Sequence, residues 1–551
     1  MFPTLPQGRP RLAIPSALLL PALVLLATAA AGPLAALQDH DHHGGHGSES
    51  GQLLGSVSFP VSCAEEVQPA FEEAMAMLHS FWFAEADVAF REIGEADPSC
   101  GMAHWGRAMT AWGNPMARGA PTPQRVAVAR TALAEARRLD GTMTEKERGW
   151  LRAAEVLFDE EAGSHHLARM AAHEEVLREL MEAYPDDPEI VFFYGRIVVA
   201  NAPPDDLTFQ RQLHAAEVME PLMADHADHP GLIHYLIHAF DAPPIAEKGL
   251  EAALRYAEIA PAAPHALHMP SHIFTRLGYW EESIHTNARS AQAEPDPDAA
   301  VHPMDYMVYA HLQLGQDRAA GEIVTRAREI DDTFYVGVIG YNFAAMHTRY
   351  ALERNRWREA MELPIPPESP AFVEAVPRFG RALGAARAGE LSRADEELEV
   401  LTTLRDRLQE DGDSYWATVV EAQRLAASAW AEWARGDHAG ALRLAVEAAD
   451  LEATVEKHPV TPGPLLPARE LLGDLFLELE RPRDALTAYE ATLVQEPRRA
   501  RALHGAAKAA QAAGESEIAR RHYTELLELL SSADPERPDL QAAREALGRD
   551  R

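Results

Sequence analysis

Cysteine is almost missing: Cys63 and Cys100 are the two in 551 residues. Two thiols exclude a disulfide-dense scaffold, a four-cysteine iron–sulfur cluster and a zinc ribbon. Positive charge is scarce as well. Lys and Arg total 50 against 85 Asp and Glu, and only Lys146, Lys248, Lys457 and Lys508 are lysines. A formal charge of −35 makes duplex nucleic acid a poor partner, because that binding runs on cationic groups. No stretch alternates apolar and polar residues for long enough to suggest a sheet. The usual catalytic strings are also missing: no Walker-type phosphate loop, no Gly-x-Ser-x-Gly elbow, no Cys-x-x-Cys-His haem site. His173-Glu174 opens like a zincin motif, but Leu177 stands where the second His belongs. Nothing in the sequence therefore requires an enzyme or a cofactor; an activity, if there is one, would be metal-dependent.

What is present is an ordinary globular share of hydrophobic residues, 47%, in a chain too long for one core. Several domains or a repeat array follow. At the N-terminus, Arg9 and Arg11 precede an apolar run from Leu12 to Ala31, broken by Pro15 and Pro21 and closing on Ala29-Ala30-Ala31. This pattern reads as a Sec-type signal peptide over 1–31, with an uncleaved membrane anchor as the alternative. The expectation is an exported protein, periplasmic or extracellular, with no membrane span in its mature form. Residues 32–60 follow as a flexible His/Gly-rich tail. There His40, His42, His43 and His46 stand among glycines and offer a weak, promiscuous metal site or a plain polar linker.

From residue 67 onward, apolar residues recur at i, i+3 and i+4, and a turn followed by a second helix recurs with them. Helices are expected near 102–112, 124–139, 144–160, 166–183, 188–200, 206–226, 230–240 and 246–259. Proline-rich stretches at 113–123, 203–206, 362–370 and 458–467 read as loops. A small residue repeatedly stands four before an aromatic: Ala86 and Phe90, Ala485 and Tyr489, Ala519 and Tyr523. Ala485 to Ala519 is 34 residues, and so is Tyr489 to Tyr523. Pro98 and Pro497 each follow the small residue by twelve, and Leu472-Gly473 stands in the first helix of its unit.

That period and pattern resemble the tetratricopeptide repeat (TPR). Weaker copies centre on Ser283, Ala320, Ala360, Ala394 and Ala441, so the resemblance extends over most of 67–533. It implies an all-α fold: an α-solenoid of stacked antiparallel helix pairs with a concave groove and no significant sheet. The organisation expected is N-terminal TPR-like units over 61–140, central repeats over 141–340, C-terminal repeats over 341–533 and a tail over 534–551. Cys63 and Cys100 bracket the first helix pair, whose two ends meet. A disulfide is sensible there in an oxidising compartment; two unrelated half-buried thiols are the alternative.

Two segments concentrate histidine: His229 to Asp241, with His234 and His238 spaced i,i+4, and His265 to His272, with His268 and His272 spaced i,i+4. On a helix such spacing puts side chains on one face, which is also how helical metal sites present imidazoles. Aligned on Pro261, Ser283 and Ala320, three consecutive units bring these residues and His302, Asp305, Tyr306 and Tyr309 to first-helix positions. In the TPR family those positions line the concave groove. The expected groove is thus His234, Tyr235, His238, Asp241, His265, His268, His272, His302, Asp305, Tyr306 and Tyr309.

Three readings of that stripe stand. Buried structural histidines are one. A polar groove gripping a protein or peptide partner is the second and leading one. A metal site of His234, His238, His268, His272 and Asp305, for zinc, copper, nickel or iron, is the third. The two histidine segments, Lys457–Pro464 and Tyr415-Trp416 also look like those of exported bacterial TPR proteins. That likeness implies a fold and an export route but no activity.

Overall fold

Helix ends in this chain carry their own stop and start signals. Thr144 and Glu147 form a reciprocal capping box at the head of Glu145–Val156. Asp187 caps Pro188–Ala200 from the position before a first-turn proline. The ring of His229 does the same for Pro230–Phe240. Gly278, Gly389, Gly436 and Gly514 end their helices in the left-handed conformation. In this computed structural model, residues 51–163, 165–330, 337–365 and 367–548 are described, and among them helices and turns are the only regular structure. The expected helices over 166–183, 188–200 and 230–240 are His166–Ala183, Pro188–Ala200 and Pro230–Phe240.

The fold is a TPR-like solenoid of antiparallel helix pairs. Clear pairs are Val301–Gln313 with Asp317–Glu329, Ala371–Ala388 with Leu391–Glu410, and Ser414–Arg435 with His438–Glu452. Ala468–Glu478 with Pro482–Gln495 and Ala500–Ala513 with Ser516–Leu529 follow. The small-residue rule has a direct cause at Tyr489. Its ring lies between two first helices, where a Cβ on Gly473 would stand 2.9 Å from it and one on Gly505 only 2.4 Å.

The array curls until late repeats meet central ones. Trp280 Nε1 donates to the carbonyl of Arg498, and Arg498 donates back to that of Gly278. Arg537 pairs with Asp317 at 2.8 Å. The concave side is therefore an interior, and the segment 458–464 fills it. Tyr306 Oη donates to the carbonyls of Pro459 and Thr461, Asn342 to that of Val460, and Arg349 to those of Gly463 and Pro464.

Both expected tails are shorter than the sequence suggested. Leu54, Val57 and Phe59 are buried, with Phe59 against the rings of Phe71, Trp105 and Trp150, so 54–60 belongs to the core. Pro538–Ala546 is a helix with Leu540 and Ala543 buried, so the C-terminal segment is packed too. No break in the apolar core falls at 140, where a unit boundary was expected: one core runs from Leu54 to Phe274. Cys63 and Cys100 are joined in a disulfide. The signal segment and His40, His42, His43 and His46 lie outside the described residues. No helix among the described residues is long and apolar enough to cross a membrane.

Candidate metal centre

Three helical segments supply the histidines. Pro230–Phe240 carries His234 and His238 one turn apart and ends at Asp241. The next first helix is broken at Pro270 into Pro264–His268 and Pro270–Leu277, and carries His265, His268 and His272. Val301–Gln313 carries His302. The six imidazoles converge as two triads, His234/His238/His265 and His268/His272/His302. Within each triad one potential ligand atom per residue lies within 4.8 Å of the others. The triads adjoin: His238 and His272 have ring centroids 5.7 Å apart, and His265 and His268 5.8 Å apart.

Hydrogen bonds assign the protons of the second triad. His268 Nδ1 donates to Asn287 Oδ1 at 2.6 Å, an oxygen identified because Asn287 Nδ2 donates to the Ser283 carbonyl. His272 Nδ1 donates to Asp241 Oδ2 at 2.8 Å. His302 Nδ1 donates to Asn342 Oδ1 at 3.2 Å, and Asn342 Nδ2 in turn donates to Asp305 and the Val460 carbonyl. In a neutral ring, one nitrogen carries the proton and the other a lone pair. All three Nε2 atoms are therefore lone-pair nitrogens, yet His268 Nε2 and His272 Nε2 stand 3.0 Å apart.

The first triad repeats the pattern in part. His234 Nδ1 donates to the His79 carbonyl at 2.7 Å, which leaves its Nε2 lone pair facing His265 Nε2 at 3.2 Å. His238 Nε2 is buried with no protein partner. Phe81 packs on all three rings, stacked on His265 at 5.3 Å, from a left-handed backbone with φ of 55°.

Burial holds these imidazoles neutral. It pushes His234, His238, His265 and His268 well below the usual histidine range, His302 down to about 3, and His272 down as well. Asp241 is the opposite case. Burial would raise its carboxyl, but Lys457 and Arg276 beside it hold it well below the usual range. Arg276 Nε lies 2.8 Å from Asp241 Oδ1, and Lys457 Nζ lies 3.2 Å from Oδ2.

A third group shows what a purely structural histidine cluster looks like here. His79 Nε2 and His229 Nε2 each donate to Glu189 at 2.9 Å. His229 Nδ1 accepts from the Leu232 amide, and His79 Nδ1 accepts from Tyr235 Oη. Every ring nitrogen has a complementary partner, and no lone pairs face each other.

The structure thus brings together His234, His238, Asp241, His265, His268, His272 and His302, with the ring of Tyr306 against the second triad. The polar groups of the others are committed elsewhere, although the Tyr235 ring packs 5.3 Å from that of His234. Tyr235 serves the His79–Glu189 network, and Tyr309 binds Glu496 and Arg499. Asp305, expected as a ligand, is committed to Arg349 at 3.2 Å and to Asn342, so it orients His302 through that asparagine instead. The open groove is corrected too. His234, His268 and His272 are at most 2% exposed, because the array closes and the 458–464 segment fills the concave side. A cavity of about 570 Å³, lined among others by Arg118, Phe209, His238, Asp241, Trp416 and Lys457, reaches the first triad.

Sequence reasoning missed Phe81, Asn287, Asn342, Arg276 and Lys457. Lys457 alone had a signal, as part of the Lys457–Pro464 segment. The others are single residues on helices or turns that carry no motif.

No protein-family model matches the chain, and no curated protein matches it in sequence. Among solved structures it is similar to the APC/C hetero-tetramer Cut9–Hcn1. The identity is 12%, the alignment covers 87% of this chain and 90% of that one, and the TM-score is 0.30. The helix stacking described above is what defines the fold class.

Proposed function

We propose that this protein binds transition-metal ions through the two histidine triads enclosed by its TPR-like array. The observation that carries this reading is the approach of two unprotonated nitrogens, His268 Nε2 and His272 Nε2, to 3.0 Å. Facing lone pairs repel unless a proton or a cation lies between them. Burial disfavours the imidazolium, which leaves a metal ion as the group that makes the arrangement favourable. Asn287, Asp241 and Asn342 hold the opposite ring nitrogens, the arrangement ligating histidines usually have. Imidazole donors suit zinc, copper, nickel or iron.

The test is metal analysis of the chain with His40, His42, His43 and His46 replaced, purified and loaded with each metal in turn. Stoichiometric metal that falls on His268→Ala supports the reading. A folded protein that retains none rejects it.

Export to an oxidising compartment is part of the proposal. It is supported by the N-terminal apolar run and by the Cys63–Cys100 bond, since disulfides persist outside the cytoplasm. Binding of a protein or peptide partner is the second reading. Stacked helix pairs commonly present extended binding surfaces, and the 570 Å³ cavity beside Trp416 has room for a peptide side chain. Pull-down with the intact chain and with Trp416→Ala tests it: a specific partner lost on that substitution supports it.

A further inference from the structure

The structure assigns the two triads to a pair of copper(I) ions, one held by His234, His238 and His265 and the other by His268, His272 and His302. This inference rests on the metal-binding reading and concerns which ion is bound and how many.

The first argument is charge. All six donors are imidazoles, which contribute a lone pair and no negative charge when they bind a metal. Asp241 is the carboxylate that touches a ligand ring directly; with Glu456, which lies 2.6 Å from Arg276, it is already balanced by two cations, Arg276 and Lys457. Asp305 is taken by Arg349. Two divalent ions would place four positive charges in this interior with no uncommitted anion beside them. Two monovalent ions halve that charge, and the cost of burying uncompensated charge falls steeply with it.

The second argument is coordination number. Zinc takes four ligands, and protein sites with three protein donors keep a position open for water. The second triad offers three nitrogens and an aromatic face. Tyr306 covers it with ring centroids 4.9–5.4 Å from the three imidazoles, and its hydroxyl is turned to the Pro459 and Thr461 carbonyls. Copper(I) accepts three nitrogen donors without a fourth.

The third argument concerns competition from thiolate, a softer copper(I) donor elsewhere in the chain. Cys63 and Cys100 are bonded to each other, so thiolate is not on offer among the described residues.

The experiment is an anaerobic titration of the full chain, carrying replaced tail histidines, with copper(I) against a chromogenic chelator, and in parallel with zinc(II). The expected result is two copper(I) per chain, with zinc bound at least a hundredfold more weakly. His265→Gln and His302→Gln, at the two less buried ligands, should each reduce the count to one. Circular dichroism shows whether each variant has kept its helices. If a buried substitution unfolds the chain, X-ray absorption of the loaded protein with tail histidines replaced reads the same point through three nitrogen scatterers per copper. Tight zinc with weak copper(I) overturns the inference and leaves the metal reading standing. A single copper per chain overturns the pair. Retention of neither metal overturns both.

Discussion

His272 Nδ1 donates to Asp241 Oδ2 across 2.8 Å, tying the broken first helix at Pro270 to the end of Pro230–Phe240. Through that one carboxylate, the His272 ring is coupled to Arg276 on its own helix and to Lys457 on the segment that fills the concave side. The site and the closure of the solenoid share a residue.

Asp241→Asn keeps the shape and removes the charge. Arg276 and Lys457 then lose a buried counter-ion, which costs about 3–5 kcal/mol of stability when one partner of a buried pair is removed. Metal affinity falls about 10–100-fold, the usual effect of losing a partner behind a ligating histidine. Denaturant unfolding and chelator competition check the two parts separately. An unchanged affinity would separate Asp241 from the metal site.

Removing the Cys63–Cys100 bond should loosen the start of the array. The two cysteines are 37 residues apart, and closing a loop of that size contributes about 4 kcal/mol on the chain-entropy estimate. The Cys63→Ser/Cys100→Ser double variant should lower the urea midpoint, and reductant should shift the native protein to match it.

Gly505→Ala tests the packing of consecutive repeats. The new methyl would meet the Tyr489 ring at 2.4 Å, inside any real contact, so a ring or a helix must shift. Overpacking of this kind costs about 1–3 kcal/mol. Gly505→Ala combined with Tyr489→Leu should recover part of that loss, which a double-mutant cycle measures.

Acid should destabilise the fold through His173, which belongs to neither histidine triad. Its ring is buried against Trp112, its Nδ1 donates to the Ala153 carbonyl, and burial pushes it down to about 3 from an ordinary 6.5. The unfolded chain therefore gains this proton near pH 6.5 while the folded chain does not. The stability is fully present above 6.5 and is lost as pH falls toward 3, at about 1.4 kcal/mol per pH unit. His173→Gln should be less stable at pH 7 and show a shallower loss between pH 6 and 4, by about one proton. Unfolding curves across that range decide it; parallel slopes would remove His173 from the account.

The sequence alone determined the local and periodic features. Spacing of i,i+4 put His234 beside His238 and His268 beside His272, because a helix has 3.6 residues per turn whatever surrounds it. The pairing of a small residue with an aromatic four later, as at Ala485 and Tyr489, announced stacked helix pairs for the same local reason. Tertiary structure decided what those pairs enclose. Curling of the array brought Arg498 to Gly278 and drew 458–464 into the concave side, so an expected open stripe became an interior. Contacts between residues 19 to 216 positions apart then chose which groups face the rings. Asp305 went to Arg349, and His302 and His268 were given to asparagines that no motif marks. Such choices depend on the free energy of burying charge and satisfying donors across distant segments. That balance exists only once the chain has closed.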